Sequence, residues 1–243
     1  MKVCIIPARG GSKRIPGKNI KLFAGQPIIA YSIQAALASG LFQRVVVSTD
    51  SEEIAAVARE HGAETPFVRP GELAGDFTTT AEVILHALEW FASQDAPVTY
   101  ACCLYATAPF VQPRFLREGL EILEGSGAAS VFTVTTYPAS IYRALQQEAD
   151  GRLAMVWPEY ELTRSNDLPA TFHDAGQFYW LDAGRFMIDK RIYSIDSRPI
   201  ILPRYLVQDI DTPEDWLTAE AMFNALKVLG RIESINHLQE INA

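Results

Sequence analysis

The tightest constraint on the fold is a set of short apolar runs that recur between helical patterns. "KVCII" near the N-terminus reads as a strand, "RVVVST" (44–49) as a buried one, and "TYACCLY" (99–105) as one apolar on both faces, as a central parallel strand is. "ASVFTVTTY" is a further strand. Helical spacing fills the gaps. "PIIAYSIQAALAS" (27–39) puts Ile28, Ser32, Ala35 and Ala36 on one small-residue face, and "SEEIAAVAREHG" runs from a Ser51 cap to Gly62. "TAEVILHALEWFAS" gathers Val83, Ile84, Ala87, Leu88 and Phe91, while "PRFLREGLEILEG" starts on Pro113 and is expected to end before Gly125. This β-α-β-α order predicts an α/β fold with a mostly parallel sheet and flanking helices. Ligands of such sheets sit at the carboxyl ends of the strands.

From Tyr137 to Phe172 the alternation breaks. Pro, aromatic and charged residues mix there, and Asp150-Gly151 predicts a hairpin. The extended pattern resumes with "QFYWLD" (177–182), "PIILP" and "YLVQDID"; a helix capped by Thr212, with Pro213 first, then closes the pattern. The chain is therefore expected to be one unit over 1–243 with 137–172 inserted. At 243 residues and 49% apolar it can bury one large core. The formal charge of −8 argues against a nucleic-acid partner. No apolar run reaches the roughly 18–20 residues of a membrane span, so no membrane partner is expected. The run Val3 to Ile6 is too short for a signal peptide. Cys4, Cys102 and Cys103 lie in strand runs without CxxC spacing. They read as small buried hydrophobes of a protein kept in the reducing cytoplasm.

Against that negative balance, "PARGGSKRIPGKN" directly after the first strand gathers Arg9, Lys13, Arg14 and Lys18, with Lys21 just beyond. Glycines let backbone N–H groups approach an anion, and the cations neutralise phosphate. The spacing matches neither a Walker loop nor GxGxxG. A second signal is Asp209-Ile-Asp211. On an extended backbone these carboxylates share a side and form a hard oxygen site suited to Mg²⁺; as an alternative, they are solvated acids before a helix. A third is Arg69 followed by Asp76 and Thr78-Thr79-Thr80, hydroxyls that can hold a ribose or phosphate or merely cap a helix.

Taken together, "IIPARGGSKRIPGKN", "VVVSTD", "R…DFTTT", "LYATAPF" and "DIDTPEDW" resemble the CMP-sialic acid synthetases, the cytidylyltransferases of nine-carbon keto sugar acids, over about residues 1–225. "CCLYATAPF" and "FHDAGQFYW" are most similar to the pseudaminic acid branch. The resemblance implies a GT-A-like nucleotidyltransferase fold, with 137–172 as a dimerisation element of a homodimer. It implies CTP and an acidic nine-carbon sugar as substrates, and Mg²⁺ as cofactor. Ala8, Arg9, Gly10, Gly11, Ser12, Lys13, Lys18 and Asn19 match the triphosphate loop. Arg69 and Thr79 or Thr80 match positions near the cytosine and ribose, and Asp209 and Asp211 match the metal carboxylates. Arg9, Lys18 and Asp211 would carry the catalysis.

Departures from the family pattern fall where the sugar should bind. Tyr105 stands where the sialic acid version has Gln, and Asp174-Ala-Gly-Gln177-Phe-Tyr179 replaces NGAIY. These, with Thr107, His173 and Arg164 (a candidate partner of the sugar carboxylate, preferred to Arg143), form the expected sugar contacts. The rival sugars are N-acetylneuraminate, legionaminate and Kdo. Rivals of other kinds are a GT-A glycosyltransferase and a non-catalytic CTP-binding module.

Overall fold

The computed structural model describes residues 1–232; residues 233–243 of the expected single unit lie outside it. In chain order the strands are β1 (Lys2–Pro7), β2 (Leu22–Phe23), β3 (Gln26–Pro27), β4 (Arg44–Ser48), β5 (Tyr100–Leu104), β6 (Ser130–Thr136), β7 (Leu145–Gln147), β8 (Leu153–Met155), β9 (Phe172–Asp182) and β10 (Ser197–Ile201). The helices are α1 (Ile28–Ser39), α2 (Glu52–Glu60), α3 (Thr80–Ser93), α4 (Pro113–Ser126), α5 (Ala183–Asp189) and α6 (Pro213–Val228).

Six strands form one sheet in the order β10-β6-β9-β5-β1-β4. The pairs β1–β4, β1–β5 and β10–β6 are parallel, and only β9 runs against its neighbours β5 and β6. Its direction follows from the connection between β6 and β9. No crossover helix returns the chain after β6, so the segment from 137 stays at the carboxyl edge and β9 starts there. That brings Phe172, His173 and Asp174 to the edge where β1, β4 and β5 end.

Apolar side chains alternate between two helical layers. Cys4, Val47, Cys102 and Trp180 pack against Ile29 and Ile33 of α1, Ile54 of α2 and Leu120 of α4. Val3, Ile5, Cys103 and Leu181 pack on the other face against Ile84, Leu88 and Phe91 of α3 and Phe186 of α5. The neighbours Cys102 and Cys103 thus face opposite layers, and all three cysteines are buried free thiols. The small face of α1 and the apolar face of α3 are buried as expected.

Two local expectations are corrected. Helix α4 continues through Gly125 and stops at Gly127, which holds φ 63°; the left-handed position, not the first glycine met, ends a helix. The segment expected to be extended around Asp209 is not a strand: Arg204–Leu206 form a 3-10 turn, followed by irregular chain. Its fixed points are Leu206 and Ile210, both buried.

A third cluster lies off the sheet. Phe23, Tyr31, Phe110, Trp216 and Phe223 meet edge to face, and Ile15, Leu206 and Ile210 join them. Ile15 belongs to the basic loop and Ile210 separates the two acids. Burial of both in one cluster draws these segments together. Between 137 and 171 the chain forms the β7–β8 hairpin, with Gly151 at φ 86°, and short 3-10 turns. Among the described residues no helix is long and apolar enough to cross a membrane.

Candidate active site

The basic loop leaves β1 with Ala8, whose N–H donates to Ser48 of β4 at 2.9 Å. Gly10 lies so close to α2 that a Cβ there would meet Ser51 Cβ at 3.1 Å, and its N–H donates to Asp50 at 2.8 Å. Ser12 N–H donates back to the Gly10 carbonyl. Gly17, at φ 61°, starts the turn Lys18–Ile20. Buried Asn19 donates to the Arg9 carbonyl at 2.9 Å, which pins the two ends of the loop together.

This closure leaves a cleft of about 240 Å³ lined by Arg9, Ser12, Lys13, Arg14, Lys18 and Asp211, among others. Lys18 donates to the Ile210 carbonyl at 2.5 Å and lies 3.3 Å from one Asp211 oxygen. Arg14 holds the other oxygen at 2.7 Å. Asp76 spans Arg9 at 2.9 Å and Lys13 at 2.5 Å. These two cations hold the exposed Asp76 carboxyl below its ordinary range, Lys13 contributing most. Asp209 differs. Among the described residues it has no ion pair or hydrogen bond, and partial burial together with the Asp211 charge raises its pKa. A carboxylate held in that way favours a cation. Asp209 and Asp211 are the carboxylates here that could hold a small hard cation, although the chain between them is not the regular strand that would set both on one side.

Arg69 is buried at the end of β4, where its guanidinium donates to the Ser48 hydroxyl at 3.1 Å and to the Ser48 carbonyl. Burial lowers its pKa to about 10. Thr79 caps α3. It accepts from Glu82 N–H and donates to the Glu82 carboxylate, so its hydroxyl is committed to the cap. Thr80 instead meets the Tyr105 hydroxyl at 3.2 Å.

The expected sugar residues form a hydroxyl network at the same sheet edge. Asp174 accepts from Tyr179 at 2.5 Å and from Tyr193, and its other oxygen accepts from Gly176 N–H at 2.8 Å. Tyr105 and Tyr179 pack at 5.4 Å, and burial raises the pKa of both phenols. His173 bonds the Asp174 carbonyl and packs on Tyr137. Thr107 is half-buried beyond β5, and Arg164 is exposed on the insertion. Arg143, by contrast, donates to the Glu161 and Thr163 carbonyls and braces the insertion itself.

Gln177 makes a contact within the protein. It is buried and donates to the Leu206 carbonyl at 2.6 Å, tying β9 to the chain that carries the acids. Three residues of the site went unassigned from sequence. Arg14 was visible in the basic loop, and Asp76 was visible beside the Thr run, but nothing indicated that they meet Asp211 and Lys13. Tyr193 sits in a stretch without any motif.

The sequence matches the family described as cytidylyltransferase over residues 3–224. It is 40% identical over 221 residues to the pseudaminic acid cytidylyltransferase of Campylobacter jejuni strain 81-176, covering 91% of this chain and 95% of that one. It is 34% identical to the CMP-N,N'-diacetyllegionaminic acid synthase of Legionella pneumophila, covering 90% and 95%. The fold is similar to that of CMP:2-keto-3-deoxy-manno-octonic acid synthetase complexed with CTP, with TM-score 0.67, 15% identity and coverage of 92% and 98%.

Proposed function

This chain belongs to the cytidylyltransferase family, and from that premise we propose that it joins CTP to pseudaminic acid, giving the CMP-sugar and pyrophosphate. The observation that carries the reading is the convergence of Arg9, Lys13, Arg14 and Lys18 with Asp211 around one cleft. A polyanion accompanied by a cation fits both signs so close together. The 40% identity to a pseudaminic acid enzyme supports the choice of sugar.

The anomeric hydroxyl attacks the α-phosphorus in line, its proton passing to solvent as the bond from the α-phosphorus to the bridging oxygen of pyrophosphate breaks, and negative charge grows on the phosphoryl oxygens and the departing pyrophosphate. Such transfer needs positioning and electrostatic stabilisation more than covalent help. Arg9, Lys13 and Lys18 hold the triphosphate with free loop N–H groups. The Gly10 N–H is already spent on Asp50, so it shapes the loop instead of binding. Asp209 and Asp211 would hold Mg²⁺, which when bound offsets phosphate charge. Arg69 and Thr80 face the nucleoside side. Tyr105, Thr107, His173, Asp174 and Tyr179 form the sugar pocket, with Arg164 taking the carboxylate. Segment 137–172 would pair two copies of the chain, and a homodimer would place each hairpin near its partner's pocket.

The test is pyrophosphate release from CTP and Mg²⁺ with pseudaminic acid and N-acetylneuraminic acid in parallel. Release with pseudaminic acid alone is expected. Release with N-acetylneuraminic acid alone would keep the reaction and discard the sugar. CTP binding without release from either would favour another sugar acid.

A further inference from the structure

Residues 70–78 are tied down in an unusual way. Arg69 anchors one end by its buried guanidinium and its N–H to Thr49, and the Thr79 cap anchors the other. Between them the hydrogen bonds Leu73 to Pro70, Ala74 to Gly71, Thr78 to Gly75 and Thr78 to Glu72 stay inside the segment. Its hydrogen bonds to the rest of the described chain all end on the basic loop: Arg9 to the Gly75 carbonyl at 3.0 Å, Arg9 to Asp76 and Lys13 to Asp76. Phe77 is 98% exposed, whereas Leu73 and Ala74 are half-buried. Gly71 and Gly75 leave the backbone unencumbered.

We propose that Asp76 is a built-in competitor of the nucleotide triphosphate. It holds Arg9 and Lys13 until polyphosphate takes them, and the strap 70–78 is then released from the basic loop. The inference rests on the reading of Arg9 and Lys13 as phosphate ligands. A carboxylate with one oxygen on each cation occupies the charge that a phosphate would need. Both pairs are partly exposed, and such pairs are weak enough to exchange. A polyphosphate carries several charges against one and wins the exchange, while the competing carboxylate keeps weaker anions out.

The test uses the whole chain with inorganic tripolyphosphate and CTP as probes in calorimetric titrations. Asp76→Asn should bind both about two- to tenfold tighter, from two exposed pairs released. Glu72→Gln removes the same charge from the same strap without touching the loop, and should give no gain. In the unaltered protein, amide hydrogen exchange over 70–78 should rise when tripolyphosphate binds. Equal or weaker binding by Asp76→Asn, an equal gain from Glu72→Gln, or slower exchange over the strap would each overturn the proposal. Arg9→Gln and Lys13→Gln separate the two levels. If both weaken binding while Asp76→Asn gives no gain, the competitor alone falls; if neither weakens it, the phosphate reading falls first and takes the competitor with it.

Discussion

Asp211 and Asp76 each pair with two cations of the same basic loop, and their own contacts are nearly alike. Asp211 has cations at 2.7 and 3.3 Å with its side chain 35% exposed, and Asp76 has them at 2.9 and 2.5 Å with 41% exposed. The difference lies in the backbone beside them. Ile210 is buried in the aromatic cluster with Ile15, and Asp211 N–H donates to Asp215, which closes the Thr212 cap of α6. Asp76 has exposed neighbours, Gly75 and Phe77. An acid that must stay put and one that can leave are thus distinguished by what the adjacent residues bury, not by ion-pair geometry.

The comparison breaks most sharply at Asp211→Ala. Turnover should fall on the order of 10²–10³, the usual loss when one electrostatic partner of a transition state is removed. Stability should change little because the lost pairs are partly exposed. Near-normal turnover at saturating Mg²⁺, measured by pyrophosphate release, would remove Asp211 from the metal site. Asp76→Asn should move the other way, towards tighter polyphosphate binding, and this opposition is the sharpest form of the contrast.

A smaller effect tests the anchor. Thr212→Ala removes the hydroxyl that caps α6 and should cost about 1 kcal/mol in denaturant unfolding. Activity should fall less than for Asp211→Ala. A full loss of activity with intact stability would give Thr212 a direct role in the reaction.

The smallest effect is the acid limb of stability. Hydrogen bonds from the Thr212 hydroxyl and from the Thr212 and Asp211 N–H groups hold the Asp215 carboxyl below its ordinary range. A lowered folded-state pKa adds stability above the unfolded value, near 4. That stability is lost as pH falls through the folded value. Melting temperature should therefore decline below about pH 4, and Thr212→Ala should show a shallower decline. An unchanged slope in the variant would assign the acid sensitivity to other carboxylates.

Much of the scaffold was legible because it is local. Ser51, Thr79 and Thr212 cap helices three residues ahead of the N–H groups they accept from. The apolar face of α3 repeats with the helical period, and Asp150-Gly151 makes its hairpin with immediate neighbours. The stop of α4 was misplaced because Gly125 and Gly127 differ only in backbone conformation. The bond from Gln177 to the Leu206 carbonyl was not legible because Leu206 lies 29 residues away.

By itself the sequence determined the alternating elements, the basic loop after β1 and the acid pair before α6, since periodicity, capping and charge act within a few residues. Tertiary structure decided the rest. The antiparallel run of β9 depends on the connection between β6 and β9. The meeting of Lys18 with Asp211 spans 193 positions, and that of Lys13 with Asp76 spans 63. The first of these contacts sits beside Ile15 and Ile210, which share one apolar cluster. Burial is non-directional and selects partners by shared volume, so no local pattern names them in advance.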